Sequence, residues 1–228
     1  MHPQRRDSFF GRRKGKALRP RQRALMETLL PQLRLDIDNP APRRPAELFD
    51  HEPRKICLEI GFGGGEYLID QAVGEPEAGF IGVEPFENGM AKALAAIDRH
   101  GLGNVRLYDR DAGRLLDWLP SGSLTRVDLL YPDPWPKRRH WKRRFVSDVN
   151  ISRIARALAP GGQFRFASDI ADYVDWTLLH VLRQHDLVWI AGRADDWRKP
   201  WAGWKQTRYE AKAVREGRAP AYLVFRKS

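Results

Sequence analysis

The stretch that decides the fold runs from Lys55 to Gly74 and reads KICLEIGFGGGEYLIDQAVG. It opens with a short apolar run typical of a buried β-strand, continues through closely spaced glycines, and ends in residues with helical spacing. Glycines at such a point let the chain turn sharply and bring bare backbone close to a ligand. The stretch therefore predicts a strand, a ligand-binding turn and a helix, which together form one unit of an α/β sheet.

The same alternation continues towards the C-terminus. Strand-forming runs predict β-strands at Lys55–Ile60, Phe80–Glu84, Val105–Tyr108, Val127–Tyr131, Phe164–Ala167, Leu187–Ala191 and Ala221–Phe225. Helical spacing predicts helices at Glu66–Val73, Glu87–His100, Ala112–Leu119, Val146–Leu158 and Ala171–His185. Strands that alternate with helices indicate a mostly parallel sheet. The last two strands lack a helix of good length between them, so we expect an antiparallel edge strand. The long segment Gly192–Pro220 suggests a functional loop.

The first 53 residues differ in character from the rest. Met1–Arg23 holds nine Lys and Arg against one acid, Asp7, which predicts a basic arm that is mobile when free. A solvated tail without a role would have the same composition. Residues 31–53 are rich in proline and show no clear period, so we interpret them as a connecting segment. We predict an arm and connection over residues 1–53 and a single domain over residues 54–228.

Composition limits the class of protein. The 228 residues are 42% hydrophobic and 30% charged, which suits one folded domain with a full core. Forty Lys and Arg against 29 Asp and Glu leave a net charge of +11, which favours a nucleic-acid partner. The single cysteine, Cys57, excludes an internal disulfide and a Cys-rich metal site. No apolar run is long enough for a signal region or a membrane span, so we expect a cytoplasmic protein with neither membrane nor metal as partner.

The glycine spacing narrows the choice of cofactor. A dinucleotide site requires G-x-G-x-x-G/A, and the final position is Glu66 when counted from Gly61 and Leu68 when counted from Gly63. This failure disfavours a nicotinamide oxidoreductase. The pattern E-x-G-x-G-x-G, from Glu59 to Gly65, instead suits a cofactor with no phosphate and with a cationic amino-acid end, which is S-adenosylmethionine.

Two further acids follow predicted strands. Glu84 lies about 20 residues beyond the glycines, where a carboxylate can accept hydrogen bonds from both ribose hydroxyls. Asp111 follows the third strand and could face an adenine, although helix capping alone would also explain it. Ligands bind along the carboxyl edge of an open sheet, so we expect one cofactor site built from the residues Glu59, Gly61, Gly63, Gly65, Glu84 and Asp111.

The stretch YPDPWPKRRHWKRRF, from Tyr131 to Phe145, lies on the same predicted edge. Two prolines flank Asp133 and restrict its backbone. Trp135 could stack on a base, and the six cations between Lys137 and Arg144 could hold phosphates. A solvated basic loop beside a core tryptophan is the structural alternative, but it would not explain a position at the mouth of a cofactor site.

From about Lys55 to the C-terminus the sequence resembles the bacterial tRNA (guanine-N7-)-methyltransferases in the stretches LEIGFGGGEYL, GVE, PDPWPKRRHWKRR, ASD and TRYEAKAVREG. The resemblance implies a Rossmann-like class I methyltransferase, with a seven-stranded sheet covered by helices on both faces. It implies methyl transfer from S-adenosylmethionine to N7 of guanine 46 in the tRNA variable loop. It also implies cofactor contacts by the four acids that include Asp133, with Asp133 as the catalytic residue. The substrate contacts that it implies are Lys137, Asp169, Thr207, Arg208, Tyr209 and Glu210.

The chemistry is consistent with that resemblance. Guanine N7 carries a free lone pair, so catalysis requires alignment with the methyl group rather than removal of a proton. Asp133 can accept hydrogen bonds from the N1–H and amino group of guanine and offset the charge that methylation adds. Asp169 could bind the base or its sugar, or cap the next helix. The Trp-rich segment with Trp197, Trp201 and Trp204 could close over the substrate.

Two alternatives remain at the sequence level. Exocyclic-amine methyltransferases place a D-P-P-aromatic motif after the fourth strand, and Asp133-Pro134-Trp135 is close to it. A non-catalytic RNA-binding protein with a methyltransferase fold would share the basic composition, but would have no need of the acids along the sheet edge. The oligomeric state is undetermined.

Overall fold

The seven strands found within residues 10–228, the part of the chain that the computed structural model describes, form one sheet. The strands are β1 Ile56–Ile60, β2 Gly79–Val83, β3 Val105–Tyr108, β4 Leu124–Leu130, β5 Leu158–Ser168, β6 Leu187–Trp189 and β7 Ala221–Lys227. Their order in the sheet is β3-β2-β1-β4-β5-β7-β6. The first five are parallel, and β7 runs antiparallel to both of its neighbours.

Helices cover both faces of this sheet. They are α1 Pro20–Thr28, α2 Leu30–Leu33, α3 Glu66–Gly74, α4 Glu87–His100, α5 Ala112–Trp118, α6 Asp148–Ala157, α7 Ala171–Leu182, α8 Asp195–Arg198 and α9 Arg208–Arg215, with 3-10 helices at Pro45–Leu48 and Arg138–Arg143. Side chains alternate along β1, so Leu58 enters the core under α5 and α6 while Cys57 enters the core under α3 and α4. None of the helices between residues 10 and 228 is long and apolar enough to cross a membrane.

The predicted fold class is confirmed, with two differences at the C-terminal end. The antiparallel strand is present as β7, but it lies one place in from the edge, and β6 is the outermost strand. The segment Gly192–Pro220 is not a bare loop, because it contains α8 and the eight-residue α9. The apolar spacing missed α9 because this helix buries only Glu210 and Ala213.

The N-terminal residues from Pro20 onwards pack against the rest of the fold. Helix α1 lies on α4, where Arg21 donates a hydrogen bond of 2.8 Å to Asp98. Leu30 and Leu33 are buried, and Arg34 forms an isolated parallel β-bridge with Leu107 of β3. Residues 1–9 of the predicted arm lie outside the described residues, and the division into residues 1–53 and 54–228 stays a prediction.

Candidate active site

A cavity of about 590 Å³ opens at the carboxyl ends of the parallel strands. Its volume is in the range of small-molecule and cofactor sites. The predicted site residues on its wall are Gly61, Gly63, Glu84, Asp111, Asp133 and Tyr209. The structure therefore brings together residues that are as much as 148 positions apart in sequence, from Gly61 to Tyr209.

The glycine loop adopts backbone conformations that favour glycine. Gly61, Gly63 and Gly65 have φ angles of 72°, 60° and 81°. A Cβ on Gly61 would have no atom within 4 Å, so this residue leaves open space at the cavity, whereas a Cβ on Gly65 would lie 2.9 Å from Ala93 Cβ. Gly61 thus forms part of the wall, while Gly65 lets α3 pack closely on α4.

Glu84 ties the glycine loop to the end of β2. Its Oε2 accepts a hydrogen bond of 2.6 Å from Gly63 N, and its Oε1 accepts one of 2.9 Å from Phe86 N. Burial raises the pKa of Glu84; the two backbone hydrogen bonds oppose this shift and the charge of Asp133 adds to it. Each carboxylate oxygen has a second lone pair, so Glu84 can hold the loop and still accept a hydrogen bond from a ligand in the cavity.

Gly89 completes the contact between the glycine loop and α4, and it was not predicted. A Cβ at this position would lie 2.2 Å from the carbonyl oxygen of Gly63. Because that oxygen belongs to the backbone, no side chain fits here without moving the loop. The only signal in the sequence was a glycine inside an otherwise regular helical stretch.

Glu59 is buried beneath the glycine loop and is not on the cavity wall. Its Oε2 has no hydrogen-bond partner among the described residues. Glu59 on β1 is paired in register with Asp128 on β4. Asp128 accepts a hydrogen bond of 2.8 Å from Arg126. Burial, and then the nearby charge of Asp128, raise the pKa of Glu59 well above its usual value.

Asp111 caps a helix and also lies at the cavity, while its contact with an adenine stays a prediction. It is the N-cap of α5, where its Oδ1 accepts a hydrogen bond of 3.1 Å from Arg114 N. It also lies on the cavity wall. The cap fixes the side chain at the sheet edge and so helps to place it at the cavity.

Asp133 lies in a loop with unusual backbone geometry. The residues on either side of the Pro-Asp-Pro unit, Tyr131 and Trp135, have φ angles of 49° and 44°. Bulky residues rarely adopt positive φ, and a residue before proline is also restricted, so this loop is strained. The side chain of Asp133 is exposed at the cavity, yet partial loss of water raises its pKa. Strain of this kind clusters at functional sites.

Arg144 is a buried anchor of the Asp133 loop, and we call its contacts the Arg144 clamp. It is buried, donates a hydrogen bond of 2.9 Å to Pro134 O, pairs with Asp172, and lies 4.9 Å from the ring centre of Trp141. The prediction that the whole basic run holds phosphates is therefore wrong for Arg144, because its guanidinium is enclosed by rings and a carboxylate. Four cations of the run are exposed, namely Lys137, Arg138, Arg139 and Lys142.

Arg143 is half-buried and lies on the cavity wall. Its guanidinium is 4.9 Å from the ring centre of Trp135 and 5.7 Å from that of Phe10. Such cation–π contacts connect the Asp133 loop to residues of the N-terminal arm.

Of the four residues Thr207–Glu210, the first and last are buried and the two between them are exposed. Thr207 caps α9 by accepting a hydrogen bond of 3.2 Å from Glu210 N. Glu210 is buried, and it accepts hydrogen bonds from Trp204 Nε1 at 2.7 Å and from Tyr222 Oη. Arg208 and Tyr209 are instead exposed, and both approach the position where a Cβ on Gly63 would lie. The buried pair thus places the exposed pair beside the glycine loop.

Two of the three tryptophans in the segment Gly192–Pro220 belong to an aromatic cluster. The ring centres of Trp201 and Trp204 are 5.0 Å apart, and Trp204 lies 5.3 Å from Tyr67. Trp201 Nε1 donates a hydrogen bond of 3.2 Å to Tyr67 Oη. These rings fasten the segment before α9 to α3, and Trp197 packs against the main core.

Asp169 and Lys137 do not lie on the cavity wall. Asp169 accepts a hydrogen bond of 2.5 Å from Arg218, a partner that the sequence did not reveal. It does not cap α7, because the N-cap is Ile170 and the nearby backbone N–H of Ile170 is bound by Ser168. Lys137 is the exposed N-cap residue of the second 3-10 helix.

Comparison with known proteins agrees with this architecture. The family model described as "Putative methyltransferase" matches residues 53–223. A tRNA (guanine-N(7)-)-methyltransferase of Chelativorans sp. (strain BNC1) is 58% identical over 225 residues, covering 98% of this chain and 97% of the relative. One of Rhizobium meliloti (strain 1021) is 59% identical over 222 residues, covering 97% and 96%. A solved Streptococcus mutans protein, described as "a putative methyltransferase" and in complex with SAH, has a TM-score of 0.52 at 13% identity, covering 82% of this chain and 100% of that chain.

The sheet order, with a cavity at the carboxyl edge, is that of the class I methyltransferase fold. The identity with curated relatives extends over nearly the whole chain. The chain belongs to the family of tRNA (guanine-N(7)-)-methyltransferases, and the resemblance seen in its motifs is confirmed.

Proposed function

We propose that this protein transfers a methyl group from S-adenosylmethionine to N7 of guanine 46 in the variable loop of tRNA. The observation that carries the proposal is the cavity that joins the glycine loop and Glu84 to the strained Asp133 loop, with exposed cations beside it. The names of the 58% and 59% identical relatives support methylation of tRNA at N7 of a guanine, and the position within the tRNA rests on the motif resemblance alone.

The residues around the cavity fit S-adenosylmethionine. Gly61 leaves open space that a side chain would occupy, and Glu84 retains accepting capacity for a ribose diol. Asp111 on the cavity wall is proposed to accept a hydrogen bond from an adenine amino group. Glu59 is not on that wall, but its Oε2 is unpartnered and it lies two residues before Gly61 of the glycine loop, so it is proposed to bind the cationic ammonium end. Gly63 and Gly65 allow the close turn between them. When bound, this cofactor supplies an electrophilic methyl group on a sulfonium centre.

Asp133 is proposed as the catalytic residue. N7 of guanine needs no deprotonation, so the task of the protein is to orient the base and to stabilise its developing positive charge. A carboxylate can accept hydrogen bonds from the N1–H and the amino group of guanine together. The strained loop and the Arg144 clamp hold Asp133 in one place before the substrate arrives.

Substrate binding is proposed for two groups of residues. Arg208 and Tyr209 lie beside the glycine loop, and Lys137 begins the exposed basic run, where it can bind phosphate. Asp169 is proposed to contact the guanosine once Arg218 releases it. Thr207 and Glu210, which are buried, are proposed to act on the substrate by positioning their exposed neighbours. A tRNA substrate also supports a cytoplasmic location.

The proposal is tested by incubating the protein with S-adenosylmethionine carrying a labelled methyl group and with total tRNA that lacks this modification. Digestion to nucleosides then identifies the product. Label in 7-methylguanosine supports the proposal. Label on an exocyclic amine would replace it with the alternative reaction, and no transfer at all would leave only RNA binding.

A further inference from the structure

Three residues of the N-terminal arm form part of the cofactor cavity. Phe10, Gly11 and Arg12 lie on its wall, which they share with Asp111 and Asp133 from distant parts of the sequence. Arg143 contacts the Phe10 ring at 5.7 Å from its centre. A segment that contributes to the wall of a binding site needs a fixed position, so something must hold this arm.

The arm is held by the first turn of α4. Asn88 Oδ1 accepts a hydrogen bond of 2.7 Å from Gly15 N, and Asn88 Nδ2 donates one of 2.7 Å to Lys16 O. The backbone N–H of Glu87 adds a third, 2.9 Å, to Arg13 O. One asparagine side chain thus binds the arm through both of its polar atoms, and it binds only backbone groups of the arm.

Gly15 fits this contact because it has no side chain. A Cβ at this position would lie 2.6 Å from Asn88 Oδ1 and 2.9 Å from the end of the Phe86 ring. Its φ is not in the left-handed region, so the requirement for glycine here comes from close approach rather than from backbone strain. A larger residue would displace either the Asn88 side chain or the arm, and both break this contact.

The same turn also holds the glycine loop. Phe86 N binds Glu84, Glu84 binds Gly63 N, and Gly89 touches Gly63 O. Asn88 lies between these contacts, so one short segment fixes both the floor of the cavity and the arm beside it.

We propose that Asn88 is a positioning residue that fastens residues 10–16 against α4 as a wall of the cofactor cavity, and that Gly15 is its specific partner. The arm then helps to retain the cofactor in addition to adding positive charge for RNA. The inference depends on the proposed function for the identity of the cofactor, but not for the contact itself.

The test uses the full chain with Asn88→Ala and, separately, Gly15→Ala. Limited trypsin digestion followed by mass spectrometry measures cleavage after Arg13, Lys14 and Lys16. We expect cleavage about fivefold to tenfold faster in both variants, as for the loss of one net hydrogen bond or more. By calorimetry the Kd for S-adenosylmethionine should rise by a similar factor, while kcat at saturating cofactor stays within about twofold. The double variant should add little to either single one, because both remove the same contact.

Asp98→Ala is the matched control, since it removes the ion pair between Arg21 and the opposite end of α4. It should leave cleavage at the three arm sites and the Kd unchanged. Wild-type cleavage and affinity in both test variants would overturn the proposal, as would an equal change in Asp98→Ala. The proteolysis needs no RNA and no methyl transfer, so it fails or succeeds independently of the proposed function. Gly15 lies outside the core, so its variant is informative even if Asn88→Ala lowers the thermal stability.

Discussion

Individual acids in this site differ in their surroundings, and those surroundings fit different tasks. Asp133 is exposed in a strained loop, Glu84 is occupied by backbone donors, and Glu59 is buried with an unpartnered oxygen. The sequence placed all of them near one edge of the sheet through their positions after strands. It could not distinguish the exposed acid from the buried ones, because burial depends on residues far away in the chain.

Replacing Asp133 tests the catalytic role. Asp133→Ala and Asp133→Asn should each lower the rate of methyl transfer by about 10²–10³, as for the loss of one oriented group that stabilises developing charge. The asparagine retains the shape but presents an amide donor where guanine also donates. The measurement is single-turnover transfer with both ligands saturating. Rates near those of the wild type in both variants would show that Asp133 only shapes the loop.

Glu59 gives a prediction about pH. Because burial and Asp128 raise its pKa, the folded state binds more protons than the unfolded state once the pH exceeds about 4.3, the usual value for glutamate. Its contribution to stability therefore falls as pH rises through the window between the unfolded and the folded pKa. Without cofactor, Glu59→Gln should raise the free energy of unfolding by about 1–2 kcal/mol at pH 8 and by almost nothing at pH 4.

Urea unfolding of the wild type and of Glu59→Gln across this pH range is the measurement. Glu77→Gln, at an exposed glutamate, serves as the control for the substitution itself. A variant that is less stable than the wild type at pH 8 would mean that an ionised Glu59 is stabilised by Arg126, and the predicted sign would be wrong.

At the scale of elements, the basic 3-10 helix and α9 each combine a buried anchor with exposed residues. Arg144 follows the 3-10 helix and holds the Asp133 loop, while Glu210 lies inside α9 and holds the Trp-rich segment. The strands and long helices could be predicted because their apolar period reports burial directly. In these segments the anchor is a charged residue among other charged residues, so no local pattern identifies which one is buried.

Arg144 and Arg139 belong to the same basic run but differ in burial, so their alanine variants can be compared directly. Arg144→Ala should lower the free energy of unfolding by about 2–3 kcal/mol, because it removes a buried hydrogen bond and the packing of the guanidinium against aromatic rings. Arg139→Ala should leave stability almost unchanged, because Arg139 is exposed. Thermal and urea unfolding compare the two directly. Equal stability of both variants would mean that Arg144 does not clamp the loop.

At the scale of the whole molecule, the chain carries a net charge of +11, and four exposed cations follow the Asp133 loop that lines the cavity. The mostly parallel sheet and a site at its carboxyl edge could be predicted from the alternating pattern of strands and helices, but the order of the last two strands could not. The arm contact at Asn88 could not be predicted, since it joins residues 73 positions apart through backbone groups that any sequence possesses.

The charge predicts salt-dependent binding of tRNA. Affinity should fall linearly on a plot of log K against log salt concentration, because phosphate contacts release counterions. Lys137→Ala and Arg139→Ala should each reduce the slope by about 1, without changing the fold. Filter binding or fluorescence anisotropy over a salt series measures this. An unchanged slope in both variants would place the phosphate contacts elsewhere on the surface.

The most direct test of the central claim is methyl transfer to two synthetic tRNAs that differ in one atom. One carries guanosine at position 46, and the other carries 7-deazaguanosine, which has a carbon in place of N7 but retains the exocyclic amine and the N1–H. The account predicts full transfer to the first tRNA and none to the second, with similar binding of both. Transfer to the 7-deaza tRNA at the rate of the guanosine tRNA would contradict it, because the acceptor could then not be N7 of that base.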